Sequence, residues 1–527
     1  MPAGARRLAL PILAAVALAL RLWGIGFAAM QPLARPDEEI FALAGMGLFS
    51  HAYQGLGTGW PGGFAALWHA VLRVERFSFG DANLACLLAV RPLSIYLPMR
   101  VVSAAIGAAT VFPVHGLSRA WRSESAGMLA AAAYAVNFLA VRDGHFAVTD
   151  ATLSFLVACC LWACARDRLW AAGAFAGAAF GVKYAAAALA VPCAISAGLA
   201  LRRGQPVLRT VLLPVFAALV AFLIVSPSVL RDPGAFWSGL QSHGARYGGT
   251  ALPFYVFTVL PAAFGWAGLL LAVAGFVERR SFPGVAFVIA VLFLLLSPLR
   301  IPYARYASPL LPALCASLGV TLAAVLQRRA AAGFALVAIA LAPPAVRSIQ
   351  LDRLLAREDT RDLAARYLIR EGKPIESRGG WAHVHALERG AQDACAAALP
   401  AHLRSPVPTL AGDSQPWREL IGQGPRGWEA AGHALIRPTL DRVPAPEAEW
   451  IAESLTPPHF VNLAAAPPLD AACWPEQVRF SPGDAGVREP YDAFFVPLAS
   501  LGAADRPGPE VVVRSRACGN SGGQRSR

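Results

Sequence analysis

Two short acidic clusters hold the residues best placed to do chemistry in this chain. The first is Arg35-Pro36-Asp37-Glu38-Glu39, directly after the first long apolar run. Pro36 disfavours helix before it, so Asp37 and Glu38 are predicted to open the next helix, where backbone N–H groups and the helix dipole keep carboxylates ionised. The second runs Arg142-Asp143-Gly144-His145-Phe146-Ala147-Val148-Thr149-Asp150, in a tight connection between two later apolar runs. The plain alternative is helix capping, which accounts for one acidic residue in each place. The remaining carboxylates and the imidazole exceed that need. Acids at the water edge of a spanning bundle are expensive to place and usually serve chemistry or ion binding. Asp37 or Glu38, with His145 and Asp150, offers the oxygen and imidazole donors that suit a divalent cation such as Mg, Mn or Zn.

Cationic candidates accompany the acids. Of 46 basic residues only Lys183 and Lys373 are lysines. Lys183 falls between two apolar runs, where an ammonium can meet a phosphate as a compact point charge or simply snorkel to the interface. Arg231, Arg246, Arg300 and Arg305 are further phosphate candidates, each weaker because arginine is common here. Tyr303 and Tyr306 read as interfacial belt aromatics. His383 and His385 read as surface histidines on one face of a strand.

The elements that must position these groups are membrane helices. The chain has 527 residues, 56% apolar and only 15% charged, with a mean hydropathy of +0.49. A soluble protein of this size carries roughly a quarter charged residues. The net charge of +13 is dispersed over short loops rather than gathered on one stripe, which excludes a nucleic-acid partner and fits the positive-inside rule. About eleven spans are predicted, near 8–29, 97–117, 125–141, 149–165, 169–182, 184–201, 209–229, 253–277, 284–299, 306–326 and 331–349. With Arg6 and Arg7 inside, every inside loop is short and basic, and both acidic clusters face outward. The first run reads as an uncleaved helix rather than a signal peptide. Helical pieces at 38–50 and 62–79 are too short to span and fit the interface.

After residue 350 the composition changes. An amphipathic helix is predicted at 358–371, then short strands including Asp492–Leu498 and Glu510–Arg514, and a disordered tail. The fold class is therefore a polytopic α-helical membrane protein with a small extracytoplasmic α/β domain, divided as 1–350 and 351–527. Cys395 and Cys473 offer a disulfide if that region meets an oxidising compartment, while Cys86, Cys159, Cys160, Cys164, Cys193 and Cys315 read as small buried hydrophobes.

Taken together, Arg35–Glu39, Val141–Asp150, Gly181-Val182-Lys183-Tyr184, Ala304-Arg305-Tyr306-Ala307-Ser308-Pro309-Leu310-Leu311-Pro312 and Glu358–Arg366 resemble membrane glycosyltransferases of the GT-C class. Among these the group related to protein mannosyltransferases and aminoarabinose transferases is the most similar. The resemblance covers most of 8–370 and is thin beyond. It implies a GT-C-like catalytic domain and an inverting transfer from a polyprenyl-phosphate-linked sugar to a glycan, lipid or protein acceptor. The reaction would take place outside a bacterial inner membrane. It also implies Asp37 as base or metal ligand, with Glu38 beside it and Asp150 as partner. A lipid or solute transporter or flippase is the alternative. The absence of an evident internal repeat and the one-sided acids weigh against it.

Overall fold

The computed structural model describes residues 3–35, 37–47, 61–79, 83–244, 247–300, 302–378, 383–411, 417, 447–455, 469–483, 501 and 504–518. Arg246 and the expected strand at 492–498 lie outside the described residues. The chain divides into two compact units. The first comprises Met1–Trp23, Gln54–Leu67 and Arg100–Asp352, and the second Gly24–Tyr53, Trp68–Met99 and Arg353–Arg527.

All eleven apolar stretches are helical, but length and apolarity together qualify fewer of them as crossings. Six helices pass: Pro92–Trp121, Tyr184–Arg202, Leu208–Val225, Leu252–Val277, Ala304–Arg328 and the long run from Ala330. A seventh forms if Glu124–Val136 and Phe138–Gly144, bent by 56°, count as one. Leu8–Leu22, Thr149–Ala165, Leu169–Val182 and Phe282–Leu296 are apolar but shorter. The chain is a multi-pass membrane protein. The helices of the first unit differ sharply in surroundings. In Ala304–Arg328 78% of the apolar window is buried, whereas in Leu208–Val225 only 6% is. The second helix leaves Leu213, Phe216, Leu219 and Ile224 exposed, as a lipid-facing surface requires. It lies against Leu169–Val182 through Gly173 and Gly177, where an added Cβ would stand 2.1 Å from the Pro214 carbonyl oxygen and 1.9 Å from that of Ala218. Small residues four apart are what let membrane helices approach this closely.

The second unit holds a four-stranded sheet, β1 (Ile375–Arg378), β2 (Trp450–Leu455), β3 (Glu476–Phe480) and β4 (Glu510–Ser515), in the order β1-β2-β4-β3. β1 and β2 are parallel and the other pairings antiparallel. The amphipathic helix forms at Thr360–Glu371, closed by Gly372 at φ 67°, a left-handed cap that glycine adopts without penalty. Its Ala364, Ala365 and Leu368 pack with Ile375, Val384, Trp450, Ala452, Val511 and Val513. The expected Cys395–Cys473 disulfide is replaced by two others. Cys395 joins Cys86 with Cα atoms 5.1 Å apart, and Cys473 joins Cys518 at 4.8 Å. Cys86 had read as a buried hydrophobe because Leu84–Val90 is apolar. The helix instead belongs to the second unit, with Cys86 against the Arg389–Ala398 helix.

Candidate active site

In the first unit, the Arg142–Asp150 segment is held by the break before it. Asn137 ends one helix and starts the next, accepting from the Ala140 N–H at 3.1 Å and donating to the Ala263 carbonyl at 3.0 Å. The chain then turns through Gly144, where a Cβ would meet the Arg21 side chain at 2.9 Å. Arg21 is itself fully buried and donates to the carbonyls of Ala17 at 2.8 Å and Ala135 at 3.2 Å. A charged residue inside the first helix thus shapes the connection, a part that Arg21's position in an apolar run did not reveal.

Asp150 sits in the first turn of Thr149–Ala165 and holds Lys183, whose ammonium donates to Asp150 Oδ1 at 2.7 Å. Both side chains are nearly buried. Lys183 follows the Leu169–Val182 helix in extended backbone, φ −155° and ψ 129°, so the break between two helices aims its side chain inward instead of leaving it to snorkel. Lys183 Nζ also stands 5.0 Å from the centre of the Tyr306 ring, and the Arg305 guanidinium 4.7 Å from that of Tyr303. The two tyrosines are therefore cation platforms rather than belt aromatics. Lys183 and Tyr306 line a narrow cavity of about 50 Å³ with Leu153, Val291, Leu296 and Pro309.

Asp143 is fixed separately. Arg142 Nη1 lies 3.1 Å from its Oδ1, and the Ser308 hydroxyl donates to its Oδ2. Ser154 in turn donates to the Ser308 carbonyl at 3.1 Å. Ser308, absent from the sequence-level candidates, ties the 304–312 signature to the acidic connection. His145 is buried, with Nδ1 2.8 Å from the Val141 carbonyl, Nε2 3.0 Å from that of Trp23, and Asp352 Oδ1 3.5 Å from the same Nε2. Arg305 is buried, whereas Arg231 and Arg300 are exposed.

In the second unit, helix Glu38–Gly47 begins where Pro36 predicts, and Asp37 precedes it at φ +79°. Asp is among the few non-glycine residues that enter the left-handed region readily, and such backbone is found disproportionately at functional sites. The Asp37 carbonyl accepts from the Phe41 N–H at 3.2 Å. Glu38 and Glu39 are fully buried. Burial, reinforced by the neighbouring Asp37 carboxylate, holds Glu39 well above the usual carboxylate range.

The segment before the cluster is pinned by Thr360–Glu371. Arg361 donates to the Leu33 carbonyl at 2.9 Å and pairs with Asp359 at 2.9 Å. Gln31 bridges Asp362 at 2.9 Å and the His385 N–H at 3.0 Å. His385 is not a surface residue: it is 3% exposed, and its Nε2 lies 2.7 Å from the Ala89 carbonyl.

Residues 85–230 match the family described as dolichyl-phosphate-mannose-protein mannosyltransferase. The likeness is to the GT-C glycosyltransferases. The matched stretch contains Asp143, His145, Asp150 and Lys183 but neither Arg35–Glu39 nor the 304–312 signature. No curated protein matches the chain. Among solved structures, ArnT from Cupriavidus metallidurans bound to undecaprenyl phosphate aligns over 71% of this chain and 73% of its own at 18% identity, with a TM-score of 0.48. The apo oligosaccharyltransferase of Archaeoglobus fulgidus aligns over 85% of this chain and 69% of its own at 11% identity, with a TM-score of 0.48. The S. cerevisiae protein O-mannosyltransferase Pmt1–Pmt2 complex bound to the sugar donor covers 49% of this chain and 37% of its own at 18% identity, with a TM-score of 0.33.

Proposed function

We propose that this chain is an inverting glycosyltransferase that moves a sugar from a polyprenyl-phosphate donor to an acceptor hydroxyl at the outer face of a bacterial inner membrane. The observation that carries the reading is Lys183, an ammonium held by Asp150 and faced by Tyr306 at the wall of an otherwise apolar cavity. An apolar recess with one fixed cation suits a lipid bearing a single phosphate. The family matched over 85–230 is named for such a donor, dolichyl-phosphate mannose.

The chemistry follows from the charges. An acceptor oxygen attacks the anomeric carbon from the face opposite the phosphate, and the carbon–oxygen bond to the phosphate breaks with its electron pair, leaving polyprenyl phosphate. Lys183 and Arg305 offset the charge that gathers on the leaving group. Asp37 takes the acceptor proton as general base, with Glu38 beside it. Asp150 acts by positioning Lys183. Arg231, Arg246 and Arg300 remain donor-phosphate candidates.

The expected cation ligands are divided between the units, His145 and Asp150 in the first and Asp37 in the second. Holding Mg, Mn or Zn would require His145 to release the Val141 or the Trp23 carbonyl, whereas Asp150 has a second carboxylate oxygen besides the one that holds Lys183. Loss of turnover with a chelator is the readout for such a cation.

The test incubates purified protein with a panel of radiolabelled polyprenyl-phosphate sugars and candidate acceptors, with and without chelator. Label should leave the donor with release of polyprenyl phosphate. Asp37→Asn should lower that turnover by at least a hundredfold while the protein accumulates normally. Turnover of no donor in the panel, or an Asp37→Asn variant equal to the parent, overturns the reading.

A further inference from the structure

A second chemical centre lies in the first unit, apart from the residues above. Cys160 and Cys164 are one turn apart on Thr149–Ala165, and Cys193 approaches them from the Ala190–Arg202 helix. Their three sulfurs all lie within 4.8 Å of one another, with Cys160 and Cys193 at 3.7 Å. Among the described residues this is the only place where three or more Cys, His or carboxylate groups converge at metal-ligand spacing. The free cysteines Cys159 and Cys315 stand outside it.

The spacing has a physical meaning. Thiols are weak hydrogen-bond partners for one another, so nothing in ordinary core packing draws three together. Sulfurs bound to one thiophilic ion at about 2.3 Å stand about 4 Å apart in trigonal or tetrahedral geometry. The observed separations bracket that value. A fourth polar group is present: Ser196, 3% exposed and one turn after Cys193, has its hydroxyl within hydrogen-bonding reach of the Cys164 thiol. Cys164 lies in the last turn of its helix, next to the Arg166–Arg168 turn, where Asp167 and Arg203 pair at 2.7 Å on the exposed surface. A cation therefore has a polar edge from which to enter, and a helix C-terminus that favours positive charge.

We propose that Cys160, Cys164 and Cys193 form a binding site for one thiophilic d10 cation, Cu(I) or Zn(II), with Ser196 as the fourth neighbour. Soft sulfur ligands select these ions over Mg, Ca or Mn. Binding changes no oxidation state. The thiols that ligate give up their protons to solvent, and the ion fastens one helix to the other.

The experiment titrates the full-length protein, purified in detergent with its thiols reduced, with Cu(I) and separately with Zn(II), each against a chromogenic chelator. One equivalent of one of these ions should bind, and the stronger competitor identifies it. Cys160→Ser, Cys164→Ser and Cys193→Ser should each weaken uptake at least tenfold, and Cys159→Ser and Cys315→Ser should leave it unchanged. Donor turnover by the serine variants, none of which replaces a residue assigned to transfer, reports that they are folded. Failure of both ions to bind stoichiometrically, equal uptake by the triple serine variant, or a Cys160–Cys193 disulfide whose reduction yields no binding overturns the site.

Discussion

The Lys183–Asp150 pair is the sharpest case at the residue scale, because removing one partner of a buried pair does two things at once. It deletes the proposed donor-phosphate contact, worth roughly 1.5–3 kcal/mol, and it strands a buried carboxylate at a cost of about 3–5 kcal/mol in stability. Lys183→Ala should therefore raise the donor KM by one to two orders of magnitude and lower the unfolding midpoint. Adding Asp150→Asn to Lys183→Ala should recover the midpoint but not the KM. Recovery of both would make Lys183 a purely structural residue. Glu39 offers a second measurement. Its pKa lies above that of the unfolded chain, so any stabilisation from its neutral form is complete below about pH 4.3 and is lost as pH rises past that value. Glu39→Gln should raise the unfolding midpoint at pH 7.5 and leave it nearly unchanged at pH 4. Equal shifts at both values would show that Glu39 is ionised in the folded protein.

At the scale of elements, the second unit depends on contacts between segments far apart in sequence. The 30–39 loop is fastened to Thr360–Glu371 by Arg361 and Gln31, and Leu84–Val90 to Arg389–Ala398 by the Cys86–Cys395 bridge. His385 joins this set through the Ala89 carbonyl, and burial pushes its imidazole down to about 3. The unfolded chain then takes up a proton near pH 6.5 that the folded chain refuses, so stability falls as pH drops from about 6.5 towards 3, by about 1.4 kcal/mol per pH unit. Comparing unfolding midpoints at pH 7 and pH 5 should reveal a loss of about 2 kcal/mol from this residue. His385→Gln should remove that part of the dependence, and an unchanged pH profile in the variant would contradict the assignment.

For the whole molecule, the predicted orientation has a direct readout. If all eleven apolar helices cross, an odd number places the two ends of the chain on opposite faces, with the end after β4 outside. A C-terminal alkaline phosphatase fusion, active only outside the cytoplasm, should then be active, and an inactive but intact fusion would invert the topology. Much of this protein was legible in its sequence. Apolar runs specify helices in lipid because every backbone polar group must be satisfied within the segment, and Pro36 marked where Glu38–Gly47 begins. The acidic clusters and Lys183 were visible because charge is costly in such a chain. Their partners were not. Whether Lys183 faces lipid headgroups or Asp150, whether Cys395 finds Cys473 or Cys86, and whether His385 is exposed or buried depend on which distant segments come together. Local pattern fixes the type of an element and the face it hides. Only tertiary packing chooses which charge, thiol or ring meets it there, because those choices are set by contacts between separate elements, 33 positions apart for Lys183 and Asp150 and 309 for Cys86 and Cys395.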